Sequence, residues 1–255
     1  MVIRRIREHV AGHNWFAVGI DFLIVVAGIV IGTQVNNWNE ARINRAEAAD
    51  YRARIIADVK FNEADTASRV IYYRQVRRHA VAALRALQHP DQSLGDSFLV
   101  DAYQGSQSWL RPFERTAYDE LVASGIARDV ADARTRAELS SYYVSARGFD
   151  LTIRSAPPYR ERIRTLLDFD VQDKIRRRCD DIFVNLPNGG QGIRLPDSCD
   201  LELDPAIIAR AVGRLRAAPG LEGDLTRQIG DLDQKLLLFD RTHRSARKLV
   251  AALKK

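Results

Sequence analysis

Two cysteines, Cys179 and Cys199, occur in the 255 residues of this chain, and their spacing points most plainly to chemistry. They flank IFVNLPNGGQGIRLPDS, where Pro-Asn-Gly-Gly is a turn sequence able to fold back a hairpin and bring the thiols together. A disulfide there implies an oxidising compartment, since such bonds do not persist in a reducing cytosol. Two unrelated buried thiols are the alternative reading.

Other reactive side chains form no such constellation. The histidines at positions 9, 13, 79, 89 and 243 are scattered, and none has the i, i+4 partner and acid that a helical zinc site needs, so no metal site is expected. Asp168, Asp170 and Asp173, and again Asp197, Asp200, Glu202 and Asp204, could offer calcium several oxygens, but neither group has EF-hand spacing and both read as solvated loops. Arg176, Arg177 and Arg178 could grip phosphate; without interleaved aromatics they read as a wet helix face, and no nucleic-acid partner is expected. PNGGQG lacks the lysine and helix start of a phosphate loop, and neither a nucleophile elbow nor a dinucleotide fingerprint occurs. The reading is therefore of a chain with no catalytic residues, no cofactor and no identifiable small-molecule substrate, and not of an enzyme.

The elements that must hold the cysteine pair begin with a membrane signal. From Trp15 to Trp38 the sequence runs WFAVGIDFLIVVAGIVIGTQVNNW, with no polar side chain between Phe22 and Ile31. At about 1.5 Å per residue this stretch spans on the order of 35 Å, enough for a hydrocarbon core of roughly 30 Å. Trp15 and Trp38 are expected at opposite headgroup levels, where an amphipathic indole sits best. A secretory signal would be shorter and followed by a small-residue cleavage site, and a core helix would carry a polar side. Asp21, Val25, Gly28, Gly32 and Asn36 follow steps of four, three, four and four, placing them on one face. Gly28 and Gly32 would let a second helix approach closely there, and Asp21 would favour a protein contact over lipid. Three domains follow: 1–14 as a short N-terminal segment, 15–38 as a transmembrane helix, and 39–255 as a helical domain on the other side. Arg4, Arg5 and Arg7 before the span, against Arg42 and Arg45 after it, lean towards a cytoplasmic N-terminus.

Beyond the span, residues 39–88 hold no proline or glycine and should continue the membrane helix. Ile55, Val59, Thr66, Val70, Tyr73, Ala80, Leu84 and Leu87 recur at helical steps, so one stripe packs while the Arg and Glu face stays wet. Residues 98–113 and 116–130 read as two short helices, the second stopped near Gly125, 133–149 as another, and 159–183 as an amphipathic run after the Pro157-Pro158 break. Asp204 and Pro205 open a further helix. Leu225, Ile229, Leu232, Leu236, Phe239, His243, Ala246, Val250 and Leu253 form a heptad seam on the last helix, which needs a partner. The expected partner is the post-membrane helix, packed antiparallel in a helical bundle, with self-association as the runner-up. Such a return would carry Arg244, Arg247, Lys248, Lys254 and Lys255 towards lipid headgroups. The expected fold is thus mostly α: a transmembrane helix continuing into a long helix, a helical-bundle soluble domain, and a small disulfide-linked β-hairpin.

VVAGIVIGTQVNNWNE, from Val25 to Glu40, resembles the membrane helix of a family of uncharacterised bacterial single-pass membrane proteins, V-V-x-G-I-x-I-x-x-Q-x-N-N-W-N-E. TAYDELVASGIARDV and ELSSYY, between Thr116 and Tyr143, are similar to the same family, and the likeness weakens after Phe149. Asp21 stands where that family tends to place a glutamate. The resemblance implies a bacterial single-pass membrane protein and brings no activity with it; with the arginine bias and the cysteine pair, the expected place is the inner membrane, with the N-terminus cytoplasmic and the domain periplasmic. The expected function is a non-catalytic accessory or scaffolding subunit of a larger membrane complex, whose partners are the lipid bilayer and other membrane subunits or a second copy of itself. A periplasmic ligand-binding sensor signalling through a partner is the alternative.

Overall fold

The structure, a computed structural model, describes residues 15–89, 91–154, 157–186 and 190–254. The expected segment 1–14, the side chains of Trp15 and Asp21, Pro90 and the turn residues 187–189 lie outside the described set. The molecule is mostly helical, with one long N-terminal apolar helix and a two-stranded antiparallel hairpin closed by a disulfide. It divides into two compact units, Met1–Asp50 and Tyr51–Lys255.

In the first unit the described residues belong to α1 (Trp15–Leu87), which shows no break between the apolar stretch and the polar sequence after it. Helix continuity follows from composition, because nothing from Asn36 to Leu87 is proline or glycine. The apolar side chains here point outward: Phe22, Leu23, Ile24, Val25, Ile29, Ile31, Val35 and Trp38 are all exposed. Among the described residues, α1 is the helix that holds a stretch long and apolar enough to cross a membrane by length and composition.

The second unit is built on the remainder of α1. Along it come α2 (Asp96–Gln104), α3 (Thr116–Ser124), the single turn α4 (Ala127–Val130) and α5 (Ala133–Arg154). They are followed by α6 (Pro158–Leu166), α7 (Phe169–Arg178), β1 (Ile182–Asn185), β2 (Gln191–Arg194), α8 (Pro205–Arg216) and α9 (Leu221–Leu253). Two local expectations are corrected. The helix expected over 98–113 ends at Gln104, and residues 106–115 run irregularly. The amphipathic run 159–183 is two helices, α6 and α7, separated at Leu167 and Asp168. Asp204 caps α8 as the sequence suggests, accepting the Ala206 N–H at 2.7 Å with Pro205 in the first helical position.

The last helix runs antiparallel to α1, as its seam requires. Asp233 pairs with Arg77, Phe239 stacks on Tyr73 with ring centroids 5.4 Å apart, and Arg247 meets Glu63 at 3.7 Å. The buried seam comprises Leu225, Gln228, Leu232, Lys235, Phe239, Ala246, Leu249, Val250 and Leu253. Ile229, Leu236 and His243, expected inside, are only partly covered, while Gln228 and Lys235 take fully covered places. The core joins this seam to Tyr72, Tyr73, Val76 and Ala80 of α1 and to Leu99, Tyr103, Phe149, Ile163, Val171 and Ile175 from the helices between. Gly105 is fixed by close packing, since a Cβ on it would stand 2.8 Å from the Ala80 backbone of α1.

Candidate functional site

Three features could do something beyond folding: the exposed face of α1, a buried polar seam in the second unit, and the disulfide-closed hairpin. On the exposed face, Val25 is 60% exposed and Asn36 is also exposed, while a Cβ built on Gly28 or Gly32 meets nothing. These residues share one uncovered face of an uninterrupted helix, together with the position of Asp21.

The polar seam is what the sequence concealed. Asn62, Asp65, Thr66 and Arg69 of α1 are all buried, against the expectation that its arginine face is wet, and the Arg69 side chain is 0% exposed. Arg69 Nε donates to Asp65 Oδ2 at 2.7 Å, and its Nη2 donates to the Arg111 carbonyl at 2.5 Å. Arg111 reaches Asp65 Oδ1 at 3.4 Å and the Gln191 carbonyl of β2 at 2.6 Å. Around the Arg69 guanidinium lie the rings of Phe113, Trp109 and Phe239, with centroids 5.3, 5.4 and 5.9 Å away. A planar, weakly hydrated cation is the charge best suited to such a site. Burial pushes the Asp65 carboxyl above its ordinary range, while Arg69 and Arg111 pull the other way.

The seam makes sense as a set of answers to one backbone problem. Residues 106–115 lie against α1 without secondary structure, so their N–H and C=O groups need other partners. The Asn62 amide donates to the Glu114 carbonyl at 2.7 Å and accepts the Glu114 N–H at 2.8 Å. The Tyr73 hydroxyl accepts the Trp109 N–H at 3.1 Å, and Arg69 takes the carbonyl of residue 111. Gln75 repeats the device beyond the hairpin, gripping the N–H and the C=O of Leu195 at 2.9 and 3.0 Å. These α1 side chains substitute for a missing neighbouring strand.

The hairpin is as expected. Cys179 and Cys199 form a disulfide with their Cα atoms 5.6 Å apart, and β1 pairs antiparallel with β2 in the register Phe183 with Ile193 and Val184 with Gly192. Gly192 has no room for a side chain, because a Cβ would run into the Ser68 hydroxyl of α1 and crowd Leu186 and Val184. Between α1 and the hairpin lies an open groove of about 480 Å³ lined by Ala64, Ala67, Ile71, Val184 and Leu186, with Lys60 and His243 also on its lining.

Several ionisable groups elsewhere are engaged in ion pairs. Asp168 pairs with Arg210 and Arg214, Asp173 with Arg176 and Arg177, and Glu202 with Arg178, so the acidic clusters and the arginine run serve one another. His79 Nδ1 lies 2.6 Å from Asp101 Oδ1, the start of a base-and-orienter pair, but its enclosed Nε2 has no hydrogen-bond partner among the described residues. No group of three or more His, Cys, Asp or Glu among the described residues could hold a metal ion. Sequence reasoning placed Thr66 on the packed stripe and missed Asn62, Asp65 and Arg69 beside it, since polar residues in a helical period read as a wet face. The chain matches no protein-family model, no curated protein and no solved structure.

Proposed function

We propose that this protein is a non-catalytic, membrane-anchored accessory or scaffolding subunit of a larger membrane assembly, with its N-terminus in the cytoplasm and its disulfide-bearing domain in the periplasm of a bacterial cell. The observation that carries this reading is the outward apolar surface of α1. Leu23, Ile24, Val25, Ile29, Ile31 and Val35 all face away from the chain, which water does not tolerate on that scale. A bilayer satisfies them, and Trp15 and Trp38 then bracket the hydrocarbon region. Gly28 and Gly32, with Asp21, Val25 and Asn36 on the same face, offer another membrane helix a close approach. The disulfide agrees with an oxidising compartment for residues 179–199. The resemblance of residues 25–40 to bacterial single-pass proteins supports the same topology, and the committed ion pairs support a structural rather than a catalytic role. In this arrangement Arg244, Arg247 and Lys248 of α9, with Lys254 after it, meet anionic lipid.

The experiment is extraction and capture. The full chain should stay in the membrane fraction through alkaline carbonate washing and, in mild detergent, run as a complex larger than its monomer with co-purifying membrane proteins. Gly28→Leu combined with Gly32→Leu should keep the membrane anchoring and shrink the complex. Release by carbonate ends the anchor reading, and an unchanged complex ends the helix-face reading. A sensor is the second reading, and the groove beside the hairpin favours it: its volume is in the usual range of about 300–1,000 Å³ for small-molecule sites, and its lining is largely apolar.

A further inference from the structure

We infer that the outer edge of β1 is a self-association site, where a second copy of this chain adds its own β1 antiparallel to form a two-fold, four-stranded sheet. Leu186 donates to the Gly190 carbonyl at 2.8 Å, which marks that pair as hydrogen-bonded. Antiparallel ladders alternate bonded and non-bonded pairs, so Val184–Gly192 and Ile182–Arg194 are bonded, and the backbone groups of Phe183 and Asn185 point away from β2. The corresponding outward carbonyl on the β2 side, that of Gln191, is taken by Arg111, and the backbone of Leu195 just beyond β2 is taken by Gln75. Among the described residues, nothing covers the edge of β1 in this way. Ile182, Phe183 and Asn185 are exposed, Phe183 at 69%, whereas Gly192 and Ile193 of β2 are buried. An uncovered apolar strand edge is a template for another strand.

The occupant follows from register. Asp181 N–H is already held by the Asp180 carboxylate at 2.8 Å, which ends the usable edge at Ile182. The outward groups left are therefore those of Phe183 and Asn185. A second β1 laid antiparallel about Val184 uses all of them: Phe183 pairs with Asn185 of the other copy, and Asn185 with its Phe183, giving four backbone hydrogen bonds. In the same register Val184 faces Val184, and Ile182 faces Leu186. Asp180 and Asp181 fall beyond the paired residues, so like charges do not meet. Because Val184 and Leu186 also line the groove against α1, the second copy's Ile182 would extend that apolar lining across the dyad. A contact of two short strands buries little area, so it needs the high effective concentration that a shared membrane supplies. This contact lies apart from the Gly28–Gly32 face and rests only on the membrane anchoring proposed above.

The test is photocrosslinking in membranes from cells making the full chain, with p-benzoylphenylalanine in place of Phe183 and, as a comparison, in place of the exposed Val144 on α5. Position 183 should give a covalent dimer whose linked peptide contains residues 182–186, and position 144 should not. Asn185→Pro removes two of the four donors while leaving the β1–β2 ladder its own bonds, and Val184→Lys sets two ammonium groups face to face at the dyad. Each should lower the dimer yield about fivefold, with the Cys179–Cys199 bond intact. Equal yields from 183 and 144, resistance to both substitutions, crosslinks from 183 to other proteins only, or a yield that falls with Gly28→Leu and Gly32→Leu but not with Asn185→Pro would each overturn the inference.

Discussion

The two stretches of α1 invert one another. Between Phe22 and Trp38 the helix turns leucine, isoleucine, valine and phenylalanine outward; between Asn62 and Arg69 it turns an amide, a carboxylate, a hydroxyl and a guanidinium inward. Each arrangement would be ruinous in the other's surroundings. Exposed apolar side chains call for a medium with no hydrogen bonds to lose, and buried polar ones call for partners that replace every bond to water. The second stretch has most of those partners, from its own residues and from the irregular loop that lies on it, with Arg69 Nη1 left to the surrounding rings. The difference teaches that the outward or inward direction of a side chain is set by what it can satisfy, and that hydrophobicity along a helix is only a proxy for this.

Breaking the buried end of this comparison should have the largest effect. Arg69→Met leaves Asp65 in the interior with Arg111 alone, 3.4 Å away and itself partly exposed, and should cost about 3 kcal/mol of unfolding free energy, as loss of one partner of a buried pair does. Denaturant unfolding of the detergent-solubilised chain reads this, and adding Asp65→Leu to the same chain should recover most of it. The mirror experiment puts a charge where there is none. Ile29→Arg at the middle of the apolar stretch should disfavour insertion by about 3 kcal/mol, visible as a larger carbonate-extractable fraction, while leaving the unfolding of residues 51–254 unchanged.

A smaller and opposite change is expected at Lys235. Burial holds its ammonium below the ordinary lysine range, with Asp231 pulling the other way, and Tyr73 lies beside it at 5.8 Å. A lysine with a depressed folded pKa binds fewer protons folded than unfolded, so stability rises with pH between the folded value and the unfolded one near 10.5. Lys235→Met should therefore stabilise the chain at neutral pH by about 1 kcal/mol, and the gain should shrink as pH approaches that upper value. A melting series across pH decides it, and a gain independent of pH would assign the effect to packing instead. Smallest of all, Gly28→Leu with Gly32→Leu should shift unfolding of the second unit by less than about 0.5 kcal/mol, since a side chain at either position would meet none of the described residues.

Much of this arrangement is legible in the sequence, and where it is not the reason is consistent. The disulfide could be found because a turn sequence between two cysteines states its own geometry. The long helix, the proline-opened α8 and the antiparallel return of α9 follow from local punctuation and period. Arg69, Gln228 and Lys235 could not be placed, because a period count assigns polar residues to water. Gln228 is inside because its amide donates to the Gly105 carbonyl at 3.0 Å, at the end of α2. Nothing in LTRQIGDLDQKLLL announces where that carbonyl is. Residues 106–115 failed for the complementary reason: a segment whose backbone is satisfied by side chains elsewhere carries no pattern of its own. The exposed apolar face of α1 is legible as a surface from composition alone.

The grip of Asn62 on Glu114, and of Gln75 on Leu195, has a consequence for how the molecule opens. Both amide protons sit outside helix and strand, in places where exchange with deuterated solvent is ordinarily fast. Held by side chains of α1, they can be released only when that helix shifts or melts. The loop and the post-hairpin segment should therefore exchange on the clock of α1, as members of one cooperative unit, leaving two islands of slow exchange in otherwise irregular chain.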